Sequence, residues 1–420
     1  MSRQVVSLGC RLNSYESGII QRHVNAAGLD DAFVVNSCAV TTEAVRQSRQ
    51  AIRRLRRDNP DATLVATGCA AQINSREFAD MEEVDFVLGN REKMQASSFR
   101  SLVAGDSPRI QVGDIMEATQ ASEAAQPLPE FNERARAFLQ VQNGCDHRCT
   151  FCVIPFGRGN ARSMPAREVA ARAREITRKG FAEITLTGVD LTAYGQDLES
   201  PMRLGDLLAH LLDAVPEARR LRLSSLDAIE LDPLALELLE SEERLLPHVH
   251  LSLQSGDDII LKRMKRRHSR KDAIDLCDRL RGRRSDIVFG ADLIAGFPTE
   301  TEAMFRQTER LVDECGLTWL HVFAFSPRPG TPAARMPPTP SAQIQERARR
   351  LRELGGSAAR RYAQSLVGTS QEVLVESPVR ARNGQYALIE VPGGDAVAGR
   401  VTRLHIREVR ENTPVGVMES

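Results

Sequence analysis

Three short apolar runs near the start of the chain end alike, at Gly9-Cys10 after Val5-Val6-Ser7-Leu8, at Asn36-Ser37-Cys38 after Phe33-Val34-Val35, and at Thr67-Gly68-Cys69 after Leu64-Val65-Ala66. Each is followed by a stretch of helical periodicity, a pattern that predicts βα units and therefore a parallel sheet. A fourth run, Val84-Asp85-Phe86-Val87-Leu88, ends in Gly89-Asn90 without a cysteine. Residues 1–103 read as one α/β domain. Periodicity then lapses into Ala, Gln, Ser, Glu and Pro over 104–135, which predicts a linker.

Strand-like runs return at 138–142, 183–187, 221–225, 248–253, 288–294 and 319–325, with helical patterns such as 166–179, 204–214 and 271–280 between them. Strands alternating with helices predict an all-parallel, barrel-like sheet over 136–336. Pro337-Pro338 closes that region, and a basic helix is expected over 337–366. Short runs at 371–375, 386–391, 401–409 and 415–418, with Asn383-Gly384 and Gly393-Gly394 turns, predict a small antiparallel β domain over 367–420. The expected fold class is α/β, with a small β-barrel at the end.

Length and charge change this picture little. The 420 residues suit two or three domains. Lys plus Arg total 56 against 56 for Asp plus Glu, so only local patches bear on a nucleic-acid partner. Candidates are Arg46, Arg49, Arg53 and Arg56 on one helix face, the run 262–271, and the arginines at 347, 349, 350, 352, 360 and 361. A solvated face is the default reading of such stripes, and contact with an RNA backbone is the second. No apolar run approaches the roughly 18 residues of a membrane span. The opening residues carry no secretory core, and the eight cysteines are unevenly spaced. A cytoplasmic protein with no membrane partner is expected.

The chemistry lies in the cysteines. Cys145, Cys149 and Cys152 have C-x3-C-x2-C spacing in one loop, and no fourth Cys or His follows to complete a zinc site. Three thiolates suit a [4Fe–4S] cluster with one iron open. Cys10, Cys38 and Cys69 follow three strands of one parallel sheet, at the edge where such sheets bind ligands. Any one alone reads as a small buried hydrophobe. Three at equivalent positions point to a second iron–sulfur cluster. Cys277 and Cys315 continue apolar helical stripes and read as core thiols. No G-x-G-x-x-G follows the first strand, so a dinucleotide site is not supported.

The loop Cys145 to Cys152, with aromatic Phe151 before its last cysteine, resembles the radical S-adenosylmethionine (SAM) superfamily. The wider set resembles the radical SAM methylthiotransferase family: Leu8 to Ser17, Asn36 to Thr41, Thr67 to Gln72, Cys145 to Ser163 and Gly296-Phe297-Pro298-Thr299-Glu300-Thr301. The last domain is similar to the RNA-binding TRAM domain. The flanks Gly144 to Gly159 and Ser326-Pro327-Arg328-Pro329-Gly330-Thr331-Pro332 are most similar to the branch acting on N6-threonylcarbamoyladenosine beside the tRNA anticodon.

The resemblance implies a partial (β/α)6 barrel, two [4Fe–4S] clusters, and SAM as both radical source and methyl donor. Cys145, Cys149 and Cys152 would hold the SAM-cleaving cluster, and Cys10, Cys38 and Cys69 the auxiliary one. Phe151, Gly188, Ser224, Gln254 and Asp292 would contact SAM. Adenine C2 bears no acidic proton and no leaving group, so a cofactor must activate it. The partners implied are tRNA, an external electron donor and a sulfur source. Alternatives of the same family act on isopentenyladenosine or on an aspartate of a ribosomal protein. A non-catalytic iron–sulfur RNA-binding or electron-transfer protein is the alternative from another class.

Overall fold

A computed structural model describes residues 4–119, 128–129, 135–394 and 396–419. The first sheet contains β1 (Val5–Ser7), β2 (Ala32–Ser37), β3 (Thr63–Gly68), β4 (Phe86–Leu88) and β5 (Ile110–Gln111), all parallel and in sequence order. Alternate residues of its strands enter separate cores, which is why the runs read as continuously apolar. Val34, Val65 and Leu88 pack with Ile20 and Val24 of α1 (Arg11–Ala27). Val35, Ala66 and Val87 pack with Val45 and Ile52 of α2 (Thr42–Asp58). Thr41 caps α2 by accepting from the Ala44 amide at 3.1 Å.

The expected linker is corrected at its start. β5 and a 3-10 turn at Ile115–Glu117 lie within 104–119, so the first unit continues past residue 103. The remainder of that linker, apart from 128–129 and 135, lies outside the described residues.

The central sheet is β6 (Ala137–Gln140), β7 (Ile184–Thr187), β8 (Leu221–Leu223), β9 (His248–Gln254), β10 (Val288–Ala295) and β11 (Leu317–Ala324). It forms two parallel three-stranded groups, β6-β7-β8 and β9-β10-β11. The bridges Leu221↔Leu245 and Leu226↔Leu251 join them. Leu139, Leu186, Leu221, Leu251, Phe289 and Leu293 enter one core together with the helices Ala166–Arg178 and Leu204–Ala214. The alternate positions carry Gln140, Thr185, Arg222, His248, His250, Asp292 and His321, with Phe138, Ile294, Trp319 and Phe323 at the same parity, so the opposite face of this sheet has a polar centre and apolar margins.

Beyond the long helix Ser341–Ser365, the strands β12 (Ser370–Ser377), β13 (Arg380–Asn383), β14 (Leu388–Glu390), β15 (Val401–Arg410) and β16 (Thr413–Met418) close into a barrel. The barrel is not wholly antiparallel as expected, because β14 pairs with β16 in parallel through Glu390↔Val415. The strand expected from 386 begins at Leu388, since Tyr386 takes φ +77° and turns the chain there. Trp319 of β11 reaches into this unit, donating from Nε1 to the Gln385 carbonyl at 2.8 Å. Among the described residues, no helix is long and apolar enough to cross a membrane.

Candidate metal centres

Cys10, Cys38 and Cys69 stand at the carboxyl ends of β1, β2 and β3, Cys10 exposed and the other two buried. Burial pushes the Cys38 thiol up to about 11, and nearby Cys69 and Cys10 push in the same direction. Gly9 explains how close the chain comes. At φ +94° it occupies a conformation L side chains rarely adopt, and a Cβ there would lie 2.7 Å from Cys38 Sγ.

Cys145, Cys149 and Cys152 lie between β6 and the short helix Ile154–Arg158. Burial raises the Cys145 thiol, and Asp190, whose Oδ2 is 3.6 Å from Sγ, adds to the effect. Cys152 is pushed up to about 12, chiefly by burial, with Cys149 and then Cys69 contributing. Arg266 opposes this from the other side, with Nη1 3.9 Å from Cys149 Sγ. It is held by the Asp227 carboxylate at 2.8 Å and the Ser252 carbonyl at 2.6 Å.

Three soft sulfur donors in one loop fit an iron–sulfur cluster, and a bound metal would draw the buried Cys145 and Cys152 to the thiolate form that burial alone disfavours. Cys145, His147 and Asp190 also converge. Yet hydrogen bonds to Asp190 at 2.8 Å and Glu230 at 3.2 Å raise His147 to about 9, leaving it a cation without a ligating lone pair at neutral pH.

The two triads share a wall. A Cβ on Gly157 would come 3.2 Å from Cys69 Cβ, and Cys152 and Cys69 feel each other's charge. Arg158 lies in that wall, fully buried. It donates to Glu16 Oε1 at 2.9 Å, Asn13 Oδ1 at 2.6 Å and Asn143 Oδ1 at 3.0 Å. Burial disfavours its charge, but Cys69, Glu16 and Cys10 hold its pKa well above the ordinary value. Lys93 Nζ completes the group, 2.8 Å from Glu16 Oε2. Asn90 places Nδ2 3.7 Å from Cys69 Sγ, in the position where the first three strands carry cysteine.

Arg158, Asn13, Glu16, Lys93 and Asn90 escaped the sequence reading. One signal was available: Asn13, Glu16 and Ser17 are polar at helical spacing on the buried side of α1.

The expected SAM contacts separate into two groups. Gly188, Ser224 and Gln254 lie at the ends of β7, β8 and β9. Among the described residues Ser224 Oγ is buried there without a partner, and Gln254 takes φ +69°. Gly188 packs so closely on Gln142 that a Cβ would meet its Oε1 at 2.9 Å. Phe151 instead joins an apolar cluster with Met264, Ile294 and Phe297. Asp292 lies three residues before the end of β10, accepting from His250 Nε2 at 3.0 Å and His321 Nδ1 at 3.2 Å.

The basic stripes are largely neutralised. On α2, Arg46 pairs with Glu43, Arg49 with Glu77, Arg53 with Glu83 and Arg56 with Asp85. In the run 262–271, Arg263 and Arg270 tie down Thr299, Gly256 and Gln307. Cys277 and Cys315 are buried side by side in the central core, as expected of structural thiols.

Residues 139–312 match the family model of the Radical SAM superfamily, and residues 3–89 that of the Uncharacterized protein family UPF0004. Threonylcarbamoyladenosine tRNA methylthiotransferase MtaB of Rickettsia prowazekii is 45% identical over 377 residues, 90% of this chain and 88% of that protein. Its namesake of Aquifex aeolicus is 34% identical, over 95% of this chain and 98% of that protein. The tRNA-2-methylthio-N(6)-dimethylallyladenosine synthase of Ehrlichia canis is 32% identical over 89% of this chain and 87% of that one. Among solved structures, the radical SAM methyltransferase TsrM of Kitasatospora setae superposes with a TM-score of 0.55 at 16% identity, covering 75% of this chain and 68% of that one. That likeness is one of fold.

Proposed function

Since the chain belongs to the radical SAM methylthiotransferase family, we propose that this tRNA-modifying enzyme adds a methylthio group to C2 of N6-threonylcarbamoyladenosine beside the anticodon. It uses two [4Fe–4S] clusters and SAM. The observation that carries the reading is the shared wall between two three-cysteine sets on adjoining parallel sheets, joined at Gly157 and Cys69.

In our reading Cys145, Cys149 and Cys152 hold the cluster that cleaves SAM, and Cys10, Cys38 and Cys69 hold the auxiliary one. When bound, these groups supply a carbon-centred radical able to abstract an unactivated hydrogen, together with the sulfur and methyl group to be transferred. The chain's own residues orient and shield. Arg158 offsets the negative charge of the thiolates on the shared wall, and Arg266 does so at Cys149. Gly157 allows the closest approach of the two loops.

The ends of β7, β8 and β9, with Gly188, Ser224 and Gln254, form the SAM slot, flanked by Phe151 and Asp292. The polar face of the barrel, with Thr185, His250 and His321, receives the base. An external electron donor and a sulfur source complete the reaction, which we place in the cytoplasm. The substrate assignment draws its support from the names of the R. prowazekii and A. aeolicus relatives.

Mass spectrometry of tRNA nucleosides from cells with and without the gene tests it. Loss of the 2-methylthio derivative of N6-threonylcarbamoyladenosine, with accumulation of its precursor, is the expected result. An unchanged level of that nucleoside, with loss of the isopentenyl counterpart, moves the enzyme to the other tRNA substrate.

A further inference from the structure

Tyr386 lies where three units meet. Its ring stacks on His248 of the central barrel, with centroids 5.0 Å apart and planes 13° from parallel. Four guanidiniums crowd it: Arg382 at 4.4 Å from the ring centroid, Arg222 at 4.9 Å, Arg11 at 5.6 Å and Arg136 at 5.8 Å. Among the described residues two carboxylates answer them, Glu183 with Arg222 and Arg136, and Glu376 with Arg136 and Arg382, while Arg220, which also reaches Glu183, is matched by Glu372.

Arg11 is left over. Among the described residues no carboxylate lies within ion-pair distance of it, and its Nη2 holds only the Tyr386 hydroxyl at 3.3 Å. It is partly exposed and directly follows Cys10. Two net positive charges beside the polar barrel face call for an anion. A guanidinium with free donors is the side chain best shaped to take a carboxylate in a two-point grip.

We propose that Arg11, seated by Tyr386, binds the threonine carboxylate of the substrate nucleoside and so selects the open-chain form of the modification. This rests on the threonylcarbamoyl reading given above. Carbamoylation consumes the amino group of threonine and leaves its carboxylate free, whereas the isopentenyl group has no charge and a cyclised threonylcarbamoyl group has lost its acid. C2 and C6 of adenine both flank N1, so the substituent and the reacting carbon leave the same edge of the base. A residue adjoining Cys10 is placed to read one while its neighbour serves the other.

The test uses the full-length holoenzyme and anticodon stem-loops carrying the open-chain threonylcarbamoyl group, its methyl ester, its cyclised form, or isopentenyladenosine. Wild-type enzyme is expected to prefer the open-chain acid to the ester and the cyclised form by about 10- to 100-fold in KM. R11Q abolishes that preference and R11K keeps most of it. Equal KM for acid and ester in the wild type, or undiminished discrimination in R11Q, overturns the assignment while leaving the substrate reading intact. Turnover of isopentenyladenosine RNA but not of threonylcarbamoyl RNA overturns both. The acid-to-ester comparison in the wild type stands whether or not a variant folds.

Discussion

Glu16 is 2% exposed and lies between Arg158 and Lys93, an arrangement that ties the first unit to the loop following the second cysteine set. Burial pushes its carboxyl up, but the two cations outweigh that and hold it at about 2. A carboxylate lowered on folding contributes its full stability above the ordinary value of 4.5, and loses it as the pH falls toward 2. The shift corresponds to about 3 kcal/mol. In the cluster-free protein, acid titration followed by circular dichroism is expected to show a stability loss over that window that is smaller in E16Q, the remainder coming from other buried carboxylates such as Glu183. E16Q also strands two buried cations, so it should lower stability at neutral pH by about 3 to 5 kcal/mol in urea titrations. An unchanged midpoint contradicts the buried triad. The cysteines were legible in the sequence because their spacing and strand-end positions are local. Arg158 was not, because its partner Glu16 lies 142 residues away.

Short elements account for most differences between pattern and fold. β5 has two residues, one of them, Ile110, 39% exposed, and a two-residue edge strand has no period to detect. The long strands β9, β10 and β11 announced themselves, and their polar alternate positions were legible with them. The strand-to-helix turns carry the sharper consequence. G9A would place a methyl group 2.7 Å from Cys38 Sγ in a left-handed backbone, so, with one cluster on each cysteine set as proposed, about half of the bound iron should be lost while the cluster on Cys145, Cys149 and Cys152 remains. Iron content and electron paramagnetic resonance of the reduced protein read this directly. On α2, Arg46 and Arg53 already hold carboxylates. Replacing both with Gln should leave the salt dependence of tRNA binding unchanged, and a shallower slope would restore that helix as an RNA contact.

At the scale of the molecule, the docking of the last barrel is what the sequence least disclosed. A strand pattern tells which residues pair, but not which surface of a neighbouring unit they meet. Trp319, the single tryptophan of the chain, reports that docking, because its ring packs on Tyr362 and its Nε1 is bonded to Gln385. Ending the chain at 366 should red-shift its emission and abolish tRNA modification; unaltered fluorescence would show that Trp319 does not sense the docked unit. The junction at Tyr386 also imposes an order in time. Translation yields Arg11 first, His248 past the middle and Tyr386 late, so a nascent chain holds every cysteine before it holds Tyr386. The cysteines of both sets are therefore all synthesised well before the residue that joins the three units, and that junction is completed only in a nearly finished polypeptide.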